Sequence, residues 1–263
     1  MIVKNIVITG ASRGLGAALA LRFAAPGVSI GLIGRNRNDL ETVARASAER
    51  GAEPRLAVCD VADGAAMAAL LETWDDALPI DLAIANAGIT GGRQADGRLD
   101  GSNGARRLVE INLIGAMNLA EPLIPRLRAR RAGRIGLISS LAGLRGMPDH
   151  PAYSASKAGL LAYGEGLRAA LRTESVQVCL VLPGYFASAL DARWAGPKPL
   201  AMSLDAMADR VAEALRQGCG RTMIPRRLGL LLRALALLPS PLGDRLISLQ
   251  RLTYTPDSEE TTP

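Results

Sequence analysis

The stretch IVKNIVITGASRGLG, residues 2–16, decides the fold. Its first half is an apolar, β-branched run that reads as a strand buried on both faces. Its second half, Thr9-Gly10-Ala11-Ser12-Arg13-Gly14-Leu15-Gly16, is a glycine-rich turn running into a helix over residues 13–25. Such a turn suits phosphate. Glycines let the backbone turn tightly and approach the ligand, and the helix behind aims free N–H groups and its positive dipole end at the charge. A glycine-rich turn alone is a weak signal; its place after the first strand and before a helix is the context it needs.

Further along, short apolar runs keep alternating with helical patterns. VSIGLIG, PRLAVCD, IDLAIANAG, GRIGLISS and VQVCLVLPG read as strands, and RTMIP as a last short one. Helices are expected near 37–50, 64–75, 105–130, 152–174 and 203–217. Continuous apolar strands separated by helices predict an α/β fold: a Rossmann-type, doubly wound parallel sheet in a single domain. The expected organisation is a catalytic domain over 1–224 with a substrate lid near 186–217, an amphipathic helical extension over 225–252, and a disordered tail over 253–263.

Composition narrows the function classes. The 263 residues are 49% hydrophobic, 21% charged and only 3% aromatic, a globular profile poor in the rings that stack on bases, so no nucleic-acid partner is expected. The net charge of +6 invites anions, and an anionic cofactor satisfies it as well as a membrane does. Cys59, Cys179 and Cys219 are far apart, and the first two sit in strand-like runs, so both are read as buried thiols. No metal-ligand spacing occurs, and His150 is the only histidine, read as a loop residue near the mouth. The N-terminus runs straight into a strand, so a reducing cytoplasm is the expected compartment.

PAYSASKAGL, residues 151–160, sets Tyr153 and Lys157 just over one helical turn apart, on one face. With the glycine spacing T-G-x-x-x-G-x-G, this resembles the classical short-chain dehydrogenase/reductase family over roughly residues 3–190. Other motifs agree in order: CDV at Asp60 and Val61, NAG at Asn86, Ala87 and Gly88, INLIG at Asn112, ISSLAG at Ser140, and PG at Pro183 and Gly184. Ser140 stands thirteen residues before Tyr153, the family's usual gap, and Ser188 stands where the family usually has threonine.

The resemblance implies an enzyme that moves a hydride between a nicotinamide and a carbonyl or alcohol substrate. Tyr153 would be the acid in reduction and the base in oxidation. Free tyrosine titrates at ~10; a nearby ammonium, here Lys157, is expected to lower that, and the oxidised nicotinamide's positive charge to add to the effect. Lys157 would also hold the nicotinamide ribose, Ser140 would hydrogen-bond the substrate oxygen, and Asn112 would anchor a water in the proton relay. The cofactor contacts implied are Gly10, Ser12, Arg13, Gly14, Leu15, Gly16, Asp60, Val61, Asn86, Ala87, Gly88, Pro183, Gly184 and Ser188. The second strand, ending SIGLIGRNRN, carries Gly34 where an NAD enzyme has an acid for the ribose 2′-hydroxyl, followed by Arg35. Arg35 with Arg13 predicts NADP(H) in preference to NAD(H), because guanidiniums pair with a 2′-phosphate.

Trp194, in the lid, packs either on substrate or on the sheet edge. In the extension, Leu228, Leu231, Leu232, Leu235 and Leu238 form a helical stripe beside Arg226, Arg227, Arg233, Arg245 and Arg251. Packing of the leucines on the protein body is the expectation; peripheral membrane contact through 225–252 is the alternative. A homodimer or homotetramer is expected through the two long helices. The competing function is a catalytically silent nucleotide-binding regulator of the same fold, which would have no use for Ser140 or the phenol.

Overall fold

A computed structural model of the chain describes residues 3–218, 220–249 and 251–255. Its strands are β1 (Asn5–Thr9), β2 (Ser29–Gly34), β3 (Glu53–Val58), β4 (Leu82–Ala85), β5 (Arg134–Ile138), β6 (Gln177–Pro183), β7 (Trp194–Ala195), β8 (Arg221–Ile224) and β9 (Thr253–Tyr254). Seven of them form a sheet in the order β3-β2-β1-β4-β5-β6-β8, every neighbouring pair parallel. Chain order reverses between β1 and β4, and this switch point opens the crevice in which such sheets take a ligand.

The first helices are α1 (Gly14–Phe23), α2 (Arg37–Ala48), α3 (Gly64–Ala77), α4 (Gly101–Val109), α5 (Gly115–Ala120) and α6 (Ile124–Arg130). They are followed by α7 (Pro151–Ala170), α8 (Leu204–Gln217), α9 (Arg226–Ala236) and α10 (Ser240–Ile247). Successive strand side chains point to opposite faces, so β1 feeds two cores. Ile6 and Ile8 pack with Leu19 of α1, Leu40 of α2 and Val211 of α8. Val7 packs on the other side with Leu71 of α3, Leu119 of α5 and Leu160 of α7.

Several expectations change in three dimensions. The long helix over 105–130 is interrupted: α4 passes through a π-helical turn, Glu110–Ile114, into α5, and α6 restarts with Pro125 in its first turn. The lid over 186–217 divides. α8 buries Met207, Ala208, Val211 and Leu215 against the sheet, and Arg22 of α1 pairs with Asp205 at 2.6 Å and Asp209 at 2.9 Å. Within residues 186–203, Trp194 meets His150 at 5.0 Å between ring centroids.

The leucine stripe of the extension also divides. Leu228 and Leu232 are buried, Leu235 and Leu238 half-buried, and Leu231 is exposed. Thr253 and Tyr254, assigned to the tail, instead form β9, which pairs antiparallel with β7 and buries the Tyr254 ring. Trp194 supplies the surface that covers it, 5.1 Å between ring centroids. Tail residues 256–263 and Cys219 lie outside the described residues. Cys179 is buried, but Cys59 is only half-buried, its thiol pushed up by burial and by Asp63 and Asp60. Among the described residues no helix is long and apolar enough to cross a membrane.

Candidate active site

The glycine loop is built for close backbone approach. Gly10 takes φ +64°, and a Cβ there would lie 2.8 Å from Ala87 Cα. Gly16 leaves no room either: a Cβ would meet the Gly10 carbonyl and stand 2.6 Å from Asn86 Nδ2. Gly14, at φ +56°, faces open space. Arg13, the residue before α1, makes no side-chain cap, so its side chain leaves the first-turn N–H groups open to a ligand. Such a cradle fits a pyrophosphate.

Asn86 holds this cradle from the β4 side. Its Nδ2 donates to Thr9 O at 3.0 Å and Gly10 O at 3.3 Å, while the Asn86 and Ala87 N–H groups both donate to Thr9 Oγ1 at 3.1 Å. Its side chain therefore shapes the loop, and Ala87 and Gly88 carry the backbone past the crevice. Asp60 accepts from Ala62 N–H at 3.0 Å and from Arg107 at 3.2 Å. Burial alone would raise this carboxyl, but those two hydrogen bonds and the charges of Arg107 and Arg35 hold it below its ordinary value. Val61 is buried against Gly115.

At the end of β2, a Cβ on Gly34 would stand 3.5 Å from the Ser12 side chain. Arg35, Asn36, Arg37 and Asn38 then line an open cleft of about 510 Å³. All four are exposed and none is acidic, which suits an added phosphate. Pro183 ends β6, and the next residue, Gly184, donates its N–H to Ile224 O at 2.6 Å. Ser188 Oγ is engaged by Asp191 N–H at 3.0 Å, so this hydroxyl holds a local turn.

Ser140, Tyr153 and Lys157 converge from β5 and α7. Ser140 caps the short turn Leu141–Gly143 through Ala142 N–H at 3.1 Å and lies 3.5 Å from Pro183 O. Lys157 Nζ donates to Ile138 O at 3.0 Å, and burial lowers its ammonium from 10.5 to about 8. Burial pushes the Tyr153 phenol up, and a hydrogen bond with Ser140 offsets this only in part. In the chain by itself burial therefore governs the phenol; the lowering expected from Lys157 and the oxidised nicotinamide belongs to the cofactor-bound site.

Asn112 lies in the π-helical turn and is fully buried. Its Oδ1 accepts from Ile89 N–H at 2.8 Å, and its Nδ2 donates to Ile89 O and Ser156 Oγ, both at 3.0 Å. Ser156 Oγ in turn donates to Tyr153 O at 2.7 Å. Both amide hydrogens are therefore committed to joining β4's extension to α7, and one Oδ1 lone pair is left for a water. A Cβ on Gly88 would lie 3.0 Å from Asn112 Oδ1 and 3.5 Å from Lys157 Nζ, so only glycine leaves the passage between them clear.

His150, expected as a loop residue near the mouth, is instead part of the site wall. The ring is 6% exposed, its Nδ1 lacks a hydrogen-bond partner, and burial lowers it to about 4. It meets Tyr153 edge-on at 5.7 Å and Trp194 at 5.0 Å. Trp194 Nε1 donates to Thr90 Oγ1 at 3.1 Å, and Asp149 binds Arg93 at 2.9 Å and Leu252 N–H at 2.7 Å. His150, Trp194 and Tyr254 thus wall the crevice beside the phenol. The three-residue spacing from His150 to Tyr153 was the available signal; Tyr254 had none. A second cleft, about 400 Å³, lies between the start of α7 and α10, with Met147, Pro151, Ala155 and Ile247 in its wall.

Residues 4–197 match the family model described as short chain dehydrogenase. An uncharacterized oxidoreductase of Myxococcus xanthus is 33% identical over 245 residues, 93% of this chain and 96% of the relative. A short-chain dehydrogenase from Sphingobium yanoikuyae, solved in complex with NADPH, superposes with a TM-score of 0.77 at 25% identity, covering 98% of this chain and all of that one. An NAD+-bound xylitol dehydrogenase superposes with a TM-score of 0.74 at 26% identity, covering 84% and 97%.

Proposed function

Because the chain belongs to the short-chain dehydrogenase family of oxidoreductases, we propose that it interconverts a carbonyl and an alcohol with NADP(H), using Tyr153 as general acid and base. The nicotinamide supplies or accepts the hydride at the substrate carbon. Tyr153 Oη gives a proton to the substrate oxygen in reduction and takes it back in oxidation. Ser140 donates a hydrogen bond to that oxygen as its negative charge develops. Lys157 binds the ribose hydroxyls and favours the phenolate by its charge. Asn112 positions α7 through Ser156 and offers its remaining lone pair to a relay water.

The observation that carries this reading is the meeting of Ser140 and Tyr153 with Lys157 one turn away, beside the passage that Gly88 keeps clear. Gly10, Ser12, Arg13, Gly14, Leu15 and Gly16 would hold the pyrophosphate, and Asp60 and Val61 the adenine. Pro183, Gly184 and Ser188 would border the nicotinamide. Preference for NADP over NAD is supported by Arg35 and the non-acidic cleft at the end of β2. Residues 186–203 close over substrate within a catalytic unit spanning 1–224. A cytoplasmic homodimer or homotetramer completes the proposal.

The test measures NADPH oxidation against a diverse carbonyl panel, with Tyr153→Phe as control. The variant is expected to lose turnover while binding NADPH within a few-fold of wild type by fluorescence titration, because the ring remains and only the proton donor is gone. Near-normal turnover in the variant would remove Tyr153 from the chemistry.

A further inference from the structure

Half of the large hydrophobic side chains exposed among the described residues lie within one twenty-residue span. Leu230, Leu231 and Leu237 project from α9 and its end, and Leu242, Leu246 and Leu249 from α10 and its end. Leu237 is 87% exposed and Leu249 78%, beyond what isolated surface leucines require. The helices are already anchored by their other faces: Leu228 and Leu232 on α9 and Ile247 on α10 join the core. Leu230 and Leu237, two turns apart, lie roughly opposite Leu228 and Leu232, while Leu242 and Leu246 share one side of α10 and Leu249 follows in the turn after it. Each of the two anchored helices therefore carries exposed leucines on the side away from its core contacts.

The charge around this face selects its occupant. Arg226, Arg227, Arg233, Arg245 and Arg251 are all exposed, while the single acid between residues 225 and 255, Asp244, pairs with Arg145 at 2.5 Å. A second copy docking through this face would set arginines against arginines, because a two-fold contact brings each patch onto itself. An anionic bilayer satisfies both features, taking leucines among its acyl chains and arginines among its headgroups. We propose that α9 and α10 form a docking surface that holds the protein on a bilayer rich in anionic lipid, the leucines of residues 230–249 entering the interface.

The test is co-sedimentation of the full chain with phosphatidylcholine vesicles, with and without phosphatidylglycerol. Binding is expected only where phosphatidylglycerol is present, and it should weaken with salt. Leu230→Ser, Leu237→Ser and Leu249→Ser combined should lower vesicle affinity at least about tenfold, as should Arg226→Gln, Arg227→Gln and Arg233→Gln combined. Because these side chains are exposed, thermal melting should be unchanged. A Leu237→Trp variant gives a readout that needs no loss of contacts: brominated lipid should quench its added fluorescence. The proposal fails if no binding to the anionic vesicles is detected, or if the leucine variant binds undiminished. It also fails if lipid does not quench Trp at 237, or if the leucine variant changes only the oligomer mass by light scattering.

Discussion

Replacing Lys157 by methionine should make the ligand-free protein more stable at neutral pH while destroying its function. The side chain is 5% exposed, and its one hydrogen bond is to Ile138 O at 3.0 Å. Burial lowers the ammonium from 10.5 to about 8, and that fall corresponds to roughly 3 kcal/mol of unfavourable charge burial. Methionine fills similar space without the charge, and its loss of the hydrogen bond costs about 1 kcal/mol. Desolvation wins, so Lys157→Met should gain about 2 kcal/mol at pH 7. The sign with pH follows from a folded-state value below the unfolded one. Below pH 8 both states carry the proton and the whole penalty is present. Between pH 8 and 10.5 the unfolded chain holds the proton and the folded one does not, so wild-type stability rises and the advantage of the variant shrinks, reversing near pH ~10. Urea unfolding of both proteins at pH 7, 9 and 10 measures this. A fixed NADPH concentration should raise the wild-type midpoint more than the variant's, since the ribose contact is gone and the variant's Kd is higher. A variant less stable than wild type at pH 7 would refute the reasoning, because the lysine would then be a net stabiliser of the fold.

Asn112→Ala removes three buried hydrogen bonds and strands the Ile89 N–H, so it should lower stability by at least about 2 kcal/mol in urea titrations. Turnover should fall further than the stability loss explains. Arg35→Ala should weaken NADPH binding by roughly 1–3 kcal/mol and NADH binding far less; a wild type that binds NADH the more tightly would overturn the cofactor preference. Light scattering at micromolar concentration should give a dimer or tetramer. The leucines of α7 add little to such an interface: Leu160 and Leu161 are buried in the chain's own core and Leu167 packs against it. A monomer would end the expectation.

The features legible in the sequence are those set by neighbours within a few residues. β-Branched runs specify the strands of the sheet. Positive φ at Gly10 and Gly14 demands glycine locally, and helical spacing alone puts Tyr153 and Lys157 on one face. Even Pro125 and the π-helical turn around Asn112, which break the helix over 105–130, act within single turns, although only the first has a residue to announce it. Burial is different, because it depends on which distant segment covers a group. Lys157 and Tyr153 repel charge because β5, α7 and their neighbours exclude water from both, and no local pattern records that. His150, Trp194 and Tyr254 meet only after residues more than one hundred positions apart in the chain return to the crevice. The extension makes the same point. Its heptad-like leucines are one class of side chain in the sequence, and tertiary packing alone decided that Leu228 and Leu232 meet the core while Leu230 and Leu237 meet solvent. A helix has two sides, and only the rest of the molecule chooses which one is covered.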